Sequence, residues 1–251
     1  MGTSRIRNIS LALALLLLAS EAEAAVSFNA ATAATITFSG VSSISQSYTL
    51  AAGTGNNCAV ARVMWISSTV TITAISYGGS AMTSAGAAAQ DASGANVQLF
   101  TLVNPSSGSN TLAITFSGTV QGVVDVGSFS GVDQSTPVRV GTYTTFVGTT
   151  DAGSGNYAVA ITSDINDLTV SVATNHNSNL NSTTQTVENI DNSFNDTFGS
   201  DHATTAAASV THTWNDSTSQ NAAIAGFSLQ GAGATSSTPM TPTRTLLGVG
   251  Q

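Results

Sequence analysis

The chain has 251 residues, 41% hydrophobic and 6% aromatic, with five arginines and no lysine against thirteen carboxylates, for a net charge of -8. Nucleic acids and anionic membranes are gripped through cation contacts, so this balance excludes both as main partners. The apolar content excludes a disordered chain, and a single cysteine excludes an intramolecular disulfide scaffold.

The first residues set Arg5 and Arg7 before the apolar run 11–19 and then Ala22-Glu23-Ala24. This is the order of a cleavable secretory leader, and the run is far shorter than the roughly 20 residues of a spanning helix. Residues 1–24 are therefore expected to be removed as a signal peptide, which makes the protein secreted or cell-surface with no membrane span after cleavage. Cleavage takes away two charges of each sign and leaves the net charge unchanged.

From residue 25 the pattern is period-2 alternation in short β-rich runs, separated by Gly, Asn, Ser and Pro, with no convincing helical repeat. Strands are expected at 35–39, 46–50, 57–67, 70–77, 97–103, 111–117, 121–130, 157–162, 168–174, 209–214 and 222–229. Gly78-Gly79, Asn104-Pro105 and 107–110 supply the turns between neighbouring runs. About eleven strands at this spacing predict an all-β fold, an antiparallel two-sheet β-sandwich with jelly-roll-like connections over residues 25–233. An up-and-down barrel is the alternative.

Within 57–67 both faces are apolar apart from Arg62, as in a central strand. A cation there calls for a carboxylate, and Asp125, which interrupts a run of valines, is the expected partner. Cys58 reads as a buried, inert thiol, and Trp65 and Trp214 as core. Residues 175–206 hold ten Asn or Asp and read as a long polar loop region, and 234–251 as a flexible tail.

Catalytic spacings are missing from the sequence. There is no Gly-x-Ser-x-Gly elbow, and His176, His202 and His212 lack zinc-ligand spacing, which points to exposed loop or strand histidines. Glu188 is the one glutamate after the leader, so the two facing carboxylates of a glycosidase cannot be paired from sequence. No cofactor is required; calcium is the metal suited to the oxygen-rich clusters, with Asp164, Asp167, Glu188 and Asp191 as candidate ligands. Tyr143, Phe146, Phe194 and Phe198 lie in polar surroundings and are the candidate ligand-binding aromatics.

The stretches 58–65, Ile75-Ser76-Tyr77-Gly78-Gly79-Ser80-Ala81-Met82-Thr83, 99–105, Phe129-Ser130-Gly131-Val132-Asp133-Gln134-Ser135-Thr136-Pro137 and 210–229 together resemble a β-sandwich module widespread in bacterial and phage extracellular or fibre-type proteins. The resemblance covers about 57–231 and implies a fold and an extracellular setting, with no site carried over. The module usually has a shorter, Gly-rich passage where this chain has 175–206.

These readings converge on a non-catalytic secreted or cell-surface binding module for a glycan or surface polymer. The alternatives are a structural or assembly subunit of an extracellular fibre, surface layer or matrix, which would self-associate, and a polysaccharide-acting hydrolase or lyase.

Overall fold

The computed structural model describes residues 25–29, 35–149, 156–177, 179–204, 208–216 and 220–233. The leader expected at 1–24 and the tail expected at 234–251 lie outside the described residues.

The spine of the first sheet is β9 (Gly108–Ser130), 23 residues long. Along one edge it pairs antiparallel with β2 (Ile36–Leu50), and near its end with β1 (Ser27–Phe28). Along the other edge run β3 (Cys58–Ile66) and β4 (Ile72–Tyr77), one after the other, so that Cys58 faces Phe129 and Tyr77 faces Leu112. Between β3 and β4 the chain swings out over 67–71. That detour is pinned by the Trp65 indole N–H on the Val70 carbonyl at 2.8 Å and by Ser67 Oγ accepting from the amides of Thr69 and Val70. Next to β3 lies β8 (Ala95–Val103), edged by β7 (Ala89–Gln90).

After Gly78-Gly79, which take φ of 57° and 82°, β5 (Ser80–Ala81) pairs with β4, and β6 (Thr83–Ser84) pairs with β8. One short stretch thus links the two edges and all but closes the sheet. The interior holds Ala59, Ala61, Val63 and Trp65 from β3, Ile75 and Tyr77 from β4, and Phe38, Ile44 and Tyr48 from β2.

A second antiparallel sheet runs in the order β10 (Thr144–Thr149), β17 (Asn221–Leu229), β12 (Leu168–His176), β15 (Asp196–Thr204), β14 (Thr186–Asp191). A third comprises β11 (Asn156–Thr162), β16 (Ser209–Asp216) and β13 (Leu180–Thr183). The outward face of β3, Cys58, Val60 and Met64, packs on Leu168, Val170, Val172, Phe227 and Leu229 of the second sheet. The opposite face of the second sheet, with Ala173 and Ile224, packs on Tyr157, Val159, Ile161 and Trp214 of the third. The result is a stack in which β3, β12 and β17 are covered on both faces, the reason their sequences are nearly continuous in buried positions.

The fold is all-β and antiparallel, as the alternation predicts, and its strands are spread over three sheets. Cys58, Trp65 and Trp214 are core. The polar stretch 175–206 departs from the expectation of a long loop: it forms the end of β12 and then β13, β14 and β15. The physical reason is that Asn175, Asp196, Ser200, Asp201 and His202 are buried against polar partners, several of them on strands outside this stretch, so low hydrophobicity does not here mean solvent. For the same reason His202 and His212 are buried and not exposed. Among the described residues no helix is long and apolar enough to cross a membrane.

Candidate functional site

Alternation along β3 puts Arg62 in the same row as Cys58, Val60 and Met64, facing the second sheet. Asp125 stands directly opposite on β9, and Arg62 Nε donates to Asp125 Oδ1 at 2.7 Å, the pair expected from sequence. Sequence reasoning missed the third member. Glu188 on β14 accepts from both terminal guanidinium nitrogens, at 2.5 and 2.6 Å.

The second Asp125 oxygen accepts from Ser200 Oγ at 2.6 Å and Asn189 Nδ2 at 2.7 Å, and His202 Nδ1 lies 3.0 Å from Glu188 Oε1. The ring of His202 packs on Phe28 of β1, centroids 4.5 Å apart. At Gly127 a Cβ would come within 2.9 Å of Arg62 Nη2, so the guanidinium fits because that residue is glycine.

Arg62, Asp125 and Glu188 are 1%, 0% and 2% exposed. Burial pushes the Asp125 carboxyl up, and the nearby Glu188 charge pushes the same way against Arg62. At Glu188 burial also pushes upward, but Arg62 and the hydrogen bond from His202 outweigh it and hold the carboxyl below its ordinary range. These are two carboxylates in one place, as a glycosidase needs, yet they lie buried between sheets and clasp a guanidinium. The cluster is a clip that fixes the β14–β15 hairpin to the first sheet.

A second network joins the second and third sheets. His212 Nδ1 is 2.7 Å from Asp201 Oδ1, and its Nε2 is 2.8 Å from Thr169 Oγ1. Ser171 Oγ donates a short bond to the same Asp201 oxygen and accepts from the Trp214 indole at 3.2 Å. The order carboxylate, imidazole, hydroxyl is that of an activated nucleophile. Thr169, Asp201 and His212 are each 0% exposed, however, so no substrate reaches them in this state. Spacing alone could not reveal this set, because its members come from three strands.

The four candidate calcium ligands do not gather at one site, although Asp164 and Asp167 share one guanidinium. Asp167 binds Arg139 with both oxygens and also accepts from Ser228 Oγ and the Gly231 amide, while Asp164 lies 3.7 Å from the same guanidinium. Glu188 is in the Arg62 cluster, and Asp191 accepts from Thr35 Oγ1 and the Ser193 amide. Among the described residues no group of three or more His, Cys, Asp or Glu is arranged to hold a metal ion.

The candidate aromatics serve as packing: three share one core and the fourth lies at another interface. Phe198 is fully buried between the first and second sheets, and Phe194 is half-buried at the rim of that core. Tyr143 packs on the same core and donates a short bond to the Ala87 carbonyl, and burial pushes its hydroxyl up to about 12. Phe146 belongs to the other interface, stacked on Tyr157 with centroids 6.2 Å apart.

A cleft of about 430 Å³ opens elsewhere, between β5–β6, the end of β8 and residues 134–138. Its origin is the closure of the first sheet. The amide of Asn104 donates to Asn57 and that of Ala85 to Leu99, so alternate β8 residues 99, 101 and 103 turn their peptide groups toward β6. Thr83 meets Thr101 there, but β5 leaves to pair with β4, and at Val103 the ladder stops.

The opposite wall is rigid. Asp133 Oδ1 accepts from the amides of Ser135 and Thr136, Gln134 Nε2 donates to the carbonyls of Asn57 and Val132, and Pro137 accepts from the Gln230 amide. The lining consists of hydroxyls, one carboxamide and small apolar side chains, with no ionisable group. Comparison with family models, with curated proteins and with solved structures finds no match to this chain.

Proposed function

We propose that the protein is a non-catalytic extracellular binding module that holds a neutral, hydroxyl-rich polymer such as a glycan strand in the cleft between β6, the end of β8 and residues 134–138. The observation that carries this reading is the chemistry of the lining. Thr83, Ser84, Thr101, Ser135 and Thr136 offer hydroxyls, Gln134 a carboxamide, and Ala81, Ala85, Leu102 and Pro137 apolar surface. A few placed polar groups over apolar walls suit an uncharged ligand, and a charged one would be desolvated there without a counter-ion.

Rigid walls lower the ordering cost of binding, and the Asp133 cap on Ser135 and Thr136 supplies that rigidity. The extracellular setting is supported by the leader pattern at Arg5, Arg7 and 11–24.

The test is a panel of neutral oligosaccharides titrated against the full-length chain and against Thr83→Trp and Thr136→Trp, which fill the cleft from opposite walls. Saturable binding that both substitutions abolish, with the thermal midpoint held, is the expected result. A panel that yields no binding, or variants that bind as the parent does, would sink the reading.

A further inference from the structure

The longest edge of the first sheet is β2, which among the described residues pairs with β9 and with no second strand. The direction of its free peptide groups follows from the register. The Gly78 amide donates to Thr111 and that of Ser117 to Thr71, so odd-numbered β9 residues face β4 and the even-numbered ones face β2. Asn110, Leu112 and Ile114 therefore bond Tyr48, Gln46 and Ile44, and the peptide groups of Ser43, Ser45 and Ser47 point away from the sheet. All three serines are exposed.

Natural sheets blunt such edges with lysine, proline, inward charges or bulges. Here the bulges are confined to 38–43, the register from Ser43 to Leu50 is regular, and residues 35–50 contain neither a charge nor a proline. Of the other uncharged edges, β10 and β11 lie against each other, and β1, β5, β6, β7 and β13 are short, none longer than four residues.

We infer that the 43–47 edge of β2 pairs antiparallel with the same edge of a second copy of this chain, forming a two-fold dimer through a continuous sheet. Two observations choose a second copy as the occupant. The segment Ser43-Ile44-Ser45-Gln46-Ser47 has the same outward residue at every alternate position, so a two-fold through Ser45 sets Ser43 opposite Ser47 of the second copy with all outward peptide groups in register. A chain of net charge -8 repels its copies over most of its surface, and this neutral strip is a place where two can touch without facing like charges. The inference rests on β2 and is independent of the cleft.

Sedimentation of the full-length chain from about 1 µM to about 1 mM tests it. The expected result is a shift from the 25.1 kDa monomer toward twice that mass. Ser45→Lys sets like charges across the axis, and Ser45→Pro deletes an amide that β9 does not use; each should weaken association at least about tenfold with the thermal midpoint unchanged. A monomer throughout, or a dimer undiminished in both variants, overturns the proposal. Should the variants fail to fold, amide exchange of the unmodified chain decides. Ser45 and Ser47 amides slowing as concentration rises support the dimer, and exchange independent of concentration overturns it.

Discussion

Arg62 shows how much one side chain can be asked to hold. It is held by two carboxylates, and its guanidinium stays charged across the ordinary pH range. Removing it leaves Asp125 and Glu188 buried together, and losing one partner of a buried ionic cluster costs about 3–5 kcal/mol. Arg62→Met should therefore unfold at markedly lower urea than the parent at neutral pH. The pH dependence has a definite sign. In the parent, Glu188 is held below its ordinary range, so its contribution is complete above the unfolded value near 4.3 and fades as pH falls through the lowered folded value. In the variant both carboxylates lose the cation that lowers them, Asp125 starting from a value that burial already raises in the parent, so acid relieves the variant more than the parent. The stability gap between parent and variant should narrow from neutral pH toward pH 4; urea midpoints that stay parallel would show that the guanidinium packs without acting through its charge.

At the scale of elements, two glycines of the first sheet separate two causes that the sequence does not distinguish. Gly122 on β9 crosses β3 so closely that a Cβ would stand 2.1 Å from the Met64 carbonyl oxygen, whereas Gly40 at the bulge of β2 has open space but a φ of 66°. Gly122→Ala should cost at least about 1–3 kcal/mol through forced displacement of backbone, and Gly40→Ala about 1 kcal/mol through the left-handed conformation alone. Gly40→Asn should recover part of its loss, because Asn tolerates that region, while Gly122→Asn should be worse than Ala. Chemical denaturation of the four variants checks the order. The contrast also marks what was legible beforehand. Strands dense in valine and alanine, β3, β8, β12 and β17, announce themselves by composition, and so does the Arg62–Asp125 pair, since each residue interrupts an apolar run. Strands β13 to β15 do not. Their burial is of Asp196, Ser200, Asp201 and His202, and the partners that satisfy those groups lie on other strands. The cleft was not legible, because the gap beside Val103 arises from where β5 leaves one edge for another.

Among the described residues the three sheets form a stack whose middle sheet is covered on both faces at its central strands β12 and β17, so its layers are expected to open together. Leu168, Val170 and Val172 pack on the first sheet while Ala173 of the same strand packs on the third, and polar clusters add directional ties at both interfaces: Arg62 with Glu188 at one, His212 with Asp201 at the other. Sliding either interface leaves buried polar groups without their partners, which penalises partly opened states more than an apolar seam would. Cys58 reports on this directly. It is fully buried on the face of β3 that meets the second sheet, and burial pushes its thiol up to about 12. Reaction with a thiol reagent therefore requires both exposure and ionisation, and only separation of the first two sheets supplies them. In native buffer the labelling rate should be independent of reagent concentration at high reagent and equal to the global unfolding rate extrapolated from urea. Arg62→Met should raise that rate in step with its loss of stability. Labelling much faster than global unfolding would mean that the first sheet separates from the second by itself, and that the clip between them is weaker than its geometry suggests.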